Sequence, residues 1–175
     1  MCVLFLIHQI NVSLIKGKPR LRFNMKKQIT QVRDIAEIEK QLLKAQSGIL
    51  CIHLSNEKLM QFACNFVYLD KNIYTYLDST DENFEYVKYG SAGTFSISSN
   101  ETNVNSKEFT YRLSFITING EIKDIDDTKL REQITELYRL KYSAKINASD
   151  YILSDNLKPI ILDTNEIKAL IEEGI

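Results

Sequence analysis

Only two histidines occur in the 175 residues, His8 and His53, so imidazole chemistry has few places to occur. His53 alternates with Cys51 and Ile49 in an apolar, β-like run, which reads as a strand residue with one satisfied hydrogen bond in preference to a haem or metal ligand. The cysteines are Cys2, Cys51 and Cys64, an odd number without C-x-x-C spacing, so neither a disulfide framework nor a zinc site is suggested. Cys51 and Cys64 fall inside apolar runs, where a thiol behaves as a small buried hydrophobe. There is no G-x-S-x-G elbow, no metal-binding histidine pair and no glycine-rich phosphate loop. With acid, base and nucleophile sets this sparse, any catalysis is expected to be lent by a bound cofactor whose own electronics perform the difficult step. Tyr68, Tyr74, Tyr76, Tyr86 and Tyr89 crowd one region. Aromatic faces stack nucleic-acid bases only beside a basic groove, and Lys plus Arg total 22 against 23 Asp plus Glu. Packing is therefore the expected role of these rings, with no nucleic-acid partner.

The net charge of -1 supplies no broad field for an anionic membrane either, so an anionic ligand has to be held locally. At 44% hydrophobic and 26% charged residues the chain can close one sizeable core, which predicts a single domain. Residues 1–24 begin apolar and then turn basic at Lys16, Lys18, Arg20 and Arg22. A signal peptide has the opposite order, and the apolar run is too short to span a bilayer before His8, Gln9 and Asn11 interrupt it. They read as an appendage to a domain spanning 25–175, with Met25 as an alternative start, and the cysteine usage fits a reducing cytoplasm.

The elements that must position any site follow from periodicity. Asp34 and Glu37 open a capping-box-like start, and Ile35, Ile38, Leu42 and Ala45 recur at helical spacing until Ser47-Gly48. GILCIHL, MQFACNFVYL and NIYTYL are short β-branched and aromatic runs separated by turn-forming clusters, an antiparallel meander. A short helix is expected around Asn83 to Tyr89, ending at Gly90, then a strand in GTFSIS and a loop over SNETNVNSKE. FTYRLSFITINGEIKDI alternates over a long span; its Asn119-Gly120 pair reads as a hairpin turn or, the preferred reading, a bulge in one bent strand. Leu130, Ile134, Leu137 and Tyr138 mark a second helix, KPIIL a short late strand, and Asp163 with Glu166 the cap of a final helix carrying Ile167, Leu170 and Ile171. This order predicts a mainly β (α+β by content) fold, a small antiparallel barrel with flanking helices and not a doubly wound parallel sheet.

Two stretches carry a family resemblance. SGILCIHLSNEKLMQFACNFVYLDKNIYTYLDS, following the opening helix, and YRLSFITINGEIKDIDD, with Ser114, Gly120 and Asp124 to Asp127, resemble the FMN-binding split barrels of the pyridoxamine 5'-phosphate oxidase superfamily, nitroimidazole reductase-like proteins included. The resemblance covers roughly residues 34 to 127. It implies an antiparallel split β-barrel of Greek-key type, a homodimer, and FMN in a groove at the subunit interface of a flavoprotein oxidoreductase acting on a small molecule. By the same resemblance the ring-flanking strand is Gln61 to Phe66, with Gln61, Ala63 and Asn65 on one face, and Tyr76 is a further candidate to bind the cofactor. Asn65 is the leading polar candidate, since an amide can donate to or accept from a flavin edge, although an asparagine in a strand also suits a bulge.

The resemblance places the phosphate-holding element after Thr75-Tyr76, where this sequence reads Leu77-Asp78-Ser79-Thr80-Asp81-Glu82-Asn83, with Asn83 where the lysine is expected. Ser79 and Thr80 can donate hydroxyl hydrogen bonds, and Lys88 or Arg112 can supply charge, although solvated surface roles suit both cations. A phosphate dianion is repelled by Asp78, Asp81 and Glu82 unless they turn outward. The departure motivates an alternative, a non-catalytic split-barrel binding protein without the phosphate clamp; a haem-binding relative using His53 is the third reading.

Overall fold

Asp34 starts the first helix as expected: its Oδ1 accepts from Ala36 N at 2.9 Å and Glu37 N at 3.5 Å, satisfying two of the donors that a helix start leaves unpaired. The computed structural model describes residues 27–54, 58–104, 109–142 and 154–174; the 1–24 segment and the start at Met25 lie outside them. Within these residues the elements are β1 (Lys27–Val32), α1 (Ile35–Lys44), β2 (Ser47–His53), β3 (Leu59–Leu69), β4 (Asn72–Asp78), β5 (Ala92–Val104), β6 (Phe109–Lys123), α2 (Thr128–Tyr142) and β7 (Leu157–Gly174).

The sheet runs β1-β7-β4-β3-β2-β5-β6, and β6 also pairs with β7, so it closes on itself. Closure pairs β6 with β7 and leaves β1, which pairs only with β7, as an edge. It depends on the length of β7, which pairs with β4 through Leu157–Leu162, with β1 through Ala169–Gly174, and with β6 along Ile161–Gly174. Phe66, Phe95, Ile52, Ile118 and Ile160 fill the interior, each fully buried. Helix α1 adds Ile38 and Leu42 to this core. Helix α2 lies on the outer wall, where Ile134 and Tyr138 pack with Val67 and Tyr74 in a second cluster. The architecture is the expected antiparallel split barrel with flanking helices. Among the described residues, no helix is long and apolar enough to cross a membrane.

Several local expectations change. The final helix is strand: residues 163–174 continue β7. Ile167, Leu170 and Ile171 suit a helical stripe, but both edges of this segment are claimed, by β6 throughout and by β1 at its end, and the ladder outweighs local periodicity. Lys27–Val32, for which no strand was expected, is the partner on the second edge. The polar residues 99–104, expected as loop, extend β5 opposite 109–114 of β6. Around residues 83–89 the helix shrinks to a single 3-10 turn at Phe84–Tyr86. The Asn119-Gly120 pair is a bulge, as preferred, where the β6–β7 register shifts.

Candidate functional site

The site begins with a change of partner along β3. Residues 59–65 pair with β2, the last pair being Ser47 with Asn65, whereas Phe66–Leu69 pair with β4. Beyond Thr75 β4 leaves β3, and Tyr76–Asp78 stay paired with β7 alone. The gap so formed is a groove of about 980 Å³. Its β3 wall is Gln61, Ala63 and Asn65, all exposed, while Cys64 and Phe66 point into the core, so the alternation expected of this strand is observed.

Backbone groups stranded at the changeover are taken up by side chains. The Asn65 carbonyl accepts from Thr75 Oγ1 at 2.8 Å and from the Tyr138 hydroxyl. Phe66 N donates to the Tyr142 hydroxyl at 2.9 Å, and Phe66 O accepts from Lys141 Nζ at 2.8 Å. Tyr138, Lys141 and Tyr142 share one face of α2, the i, i+3, i+4 spacing that lets three side chains reach one strand. Burial pushes the Lys141 amine down to about 8, and Nζ lies 4.1 Å from the centre of the Phe66 ring. Burial also raises the Tyr138 hydroxyl, keeping it protonated as a donor. In the sequence Tyr138 marks an apolar helix position; the signal for its second role is the Tyr-x-x-Lys-Tyr spacing.

Around the groove, Ser47, Ser96 and Ser98 supply hydroxyls, while Tyr76 and Phe115 supply aromatic surface. Asp78 and Asp81 line the end beside β4. Hydrogen bonds from the Thr80 hydroxyl and N–H, at 2.7 and 2.8 Å, hold the Asp78 carboxyl below the usual range, so it is anionic at neutral pH. Ser79 Oγ donates to Asn156 O at 2.7 Å, and Asn83 N donates to Asp81 Oδ1 at 2.8 Å. Of the residues singled out from sequence, Gln61, Ala63, Asn65 and Tyr76 come together in the wall, and Ser79, Thr80 and Asn83 occupy the turn beyond Asp78. Lys88 and Arg112 are not among the lining residues, and Arg112 Nε lies 3.5 Å from Glu173. His53 is exposed on the outer wall, with Nε2 3.4 Å from Thr94 Oγ1, and it does not line the groove.

Among the described residues the groove shows no nucleophile hydrogen-bonded to a base. Cys64 borders it but turns its thiol into the core, and burial raises the pKa, which makes it a poor nucleophile. Among the described residues no group of three or more His, Cys, Asp or Glu side chains could hold a metal ion. What remains is a groove edged by hydroxyl, amide and carboxylate side chains.

No protein-family model and no curated protein matches the sequence. Solved structures do. A Bacteroides thetaiotaomicron protein provisionally described as a 5-nitroimidazole antibiotic resistance protein is similar with a TM-score of 0.67 at 14% identity, over 91% of this chain and 99% of that one. The FAD and haem binding protein of Mycobacterium smegmatis gives 0.63 at 12% identity, over 79% of this chain and 71% of that one. The FAD binding protein of Mycobacterium smegmatis gives 0.57 at 10% identity, over 80% and 95%. At such identities the likeness speaks to fold: the chain is an antiparallel split β-barrel, the fold that the resemblance of its sequence implied.

Proposed function

We propose that the groove beside β3 binds the isoalloxazine ring of a flavin, and that the protein is a flavin-dependent oxidoreductase of the pyridoxamine 5'-phosphate oxidase-like superfamily acting on a small molecule. The carrying observation is the partner change at Asn65 and Phe66, which opens a slot of about 980 Å³ with Ala63 between two amide side chains. That volume lies at the upper end of small-molecule sites. The ring fits this donor set. Gln61 and Asn65 can donate to and accept from its edge, the small Ala63 lets it approach the strand, and Tyr76 or Phe115 can cover a face. A bound flavin supplies hydride or electron transfer. The chain's own part is to orient the ring and exclude water. The haem binding of one similar structure suggests a second cofactor, but His53 lies outside the groove, which favours flavin.

The expected result is that purified protein takes up flavin, with quenched flavin fluorescence. Asn65→Ala is expected to weaken uptake about tenfold, the loss of one useful hydrogen bond in a partly desolvated site. Failure to take up flavin in any form overturns the reading.

The second copy belongs to the same proposal. Ile49, Phe115 and Leu170 are 49%, 38% and 44% exposed. Strand pairing puts Ile49 beside Ser96, Ser98 beside Phe115, and Phe115 beside Leu170, so the apolar positions run on from the groove wall across the sheet. A homodimer through this face would roof the groove and exclude water from it. Light scattering is expected to give twice the chain mass, with Phe115→Glu shifting it to monomer; a wild-type monomer at micromolar concentration speaks against the dimer.

A further inference from the structure

We infer that the groove selects a flavin without a phosphate, riboflavin in preference to FMN or FAD, and that Asp78 and Asp81 enforce the choice. The inference rests on the flavin reading of the site and adds which form it accepts.

Three observations converge. First, the β4 end of the groove, where the resemblance puts the phosphate, is lined by two carboxylates, Asp78 and Asp81, and both residues are exposed. Second, the lining contains no lysine, arginine or histidine among the described residues, so nothing in it offsets those charges. Third, the turn's hydroxyls and two of its backbone donors are already engaged. Ser79 Oγ donates to Asn156 O, Thr80 Oγ1 and N donate to Asp78 Oδ1, and Asn83 N donates to Asp81 Oδ1. A phosphate entering here would have to take these donors from their present acceptors while facing two negative charges. It would gain no counter-ion from the lining. A ribityl chain ending in a neutral hydroxyl meets no such opposition, because a hydroxyl can donate to either carboxylate.

The test is a fluorescence titration of the full chain with riboflavin, FMN and FAD at low and high salt. Riboflavin is expected to bind at least tenfold more tightly than either phosphorylated form. Raising salt should narrow the difference, because it screens the exposed carboxylates. Asp78→Asn with Asp81→Asn keeps the Oδ1 acceptors that hold the turn, and is expected to narrow the riboflavin-to-FMN affinity ratio about tenfold. FMN binding as tightly as riboflavin, or a ratio indifferent to both salt and the double substitution, overturns the inference while leaving the flavin site standing. No uptake of any flavin overturns the site reading and the inference with it.

Discussion

Gly120→Ala is expected to destabilise the protein by about 3 kcal/mol, far more than the same change at Gly93. A Cβ on Gly120 would stand 2.2 Å from the Asp163 carbonyl oxygen and 2.9 Å from its carbon. Those are backbone atoms of β7 and cannot turn aside. The position is also where the β6–β7 register shifts: Asn119 faces Glu166, and Gly120 already faces Thr164. A side chain here therefore pushes apart the two strands whose pairing closes the barrel. At Gly93 the nearest atoms to an added Cβ are Ile122 Cδ1 and Leu162 Cδ1, both at 2.8 Å. Methyl ends can rotate away, so Gly93→Ala is expected to cost about 1 kcal/mol. Thermal unfolding of the two variants measures the contrast. At about 2–4 °C per kcal/mol for a chain of this size, Gly120→Ala should melt roughly 6–12 °C below wild type. Equal melting temperatures for the two variants would mean that the close approach at Asp163 does not constrain β7.

The same bulge shows how far the sequence could be read. Asn119-Gly120 was recognisable as a bulge inside a long alternating run, and Asp34, β2, β3, β4 and α2 were legible from caps and periodicity. Each of those signals is local. The last strand was not legible, because Ile167, Leu170 and Ile171 satisfy a helical stripe as well as a strand and only the ladders from β6 and β1 decide between them. Polar residues 99–104 likewise read as loop until the partner strand is known. At the site, the outward face of Gln61, Ala63 and Asn65 followed from strand alternation. The opposite side did not: Tyr138 reaches Asn65 O from a helix 73 residues away in the chain, and no local pattern encodes that meeting. The acidic segment from Asp78 to Glu82 was visible as composition. Its place at the groove, and the engagement of its own hydroxyls, needed the fold.

Phe66→Ala is expected to cost about 3–5 kcal/mol, the usual range for emptying a buried aromatic position, and to weaken flavin uptake although Phe66 does not line the groove. The ring is fully buried, with its centre 4.7 Å from that of Phe95, so truncation leaves a void against a second large ring. It also carries Lys141 Nζ 4.1 Å above its centre. Without the ring the amine gains room for water, which should raise its lowered pKa toward the ordinary lysine value. The link to the site is that adjacent residues face opposite ways. Phe66 anchors β3 inward at the residue where the strand takes β4 as partner, and Asn65 is presented outward one residue earlier. A β3 that settles into the void shifts Asn65 and the carbonyl held by Thr75 and Tyr138, which distorts the groove wall from beneath. Phe66→Leu keeps most of the volume and is expected to cost under about 1.5 kcal/mol with near-normal uptake. Urea unfolding and flavin titration of both variants measure the two effects, the titrations being run where each variant is folded. If folded Phe66→Ala bound flavin as wild type does, the core anchor and the groove wall would be independent, and the partner change on β3 would not be what shapes the site.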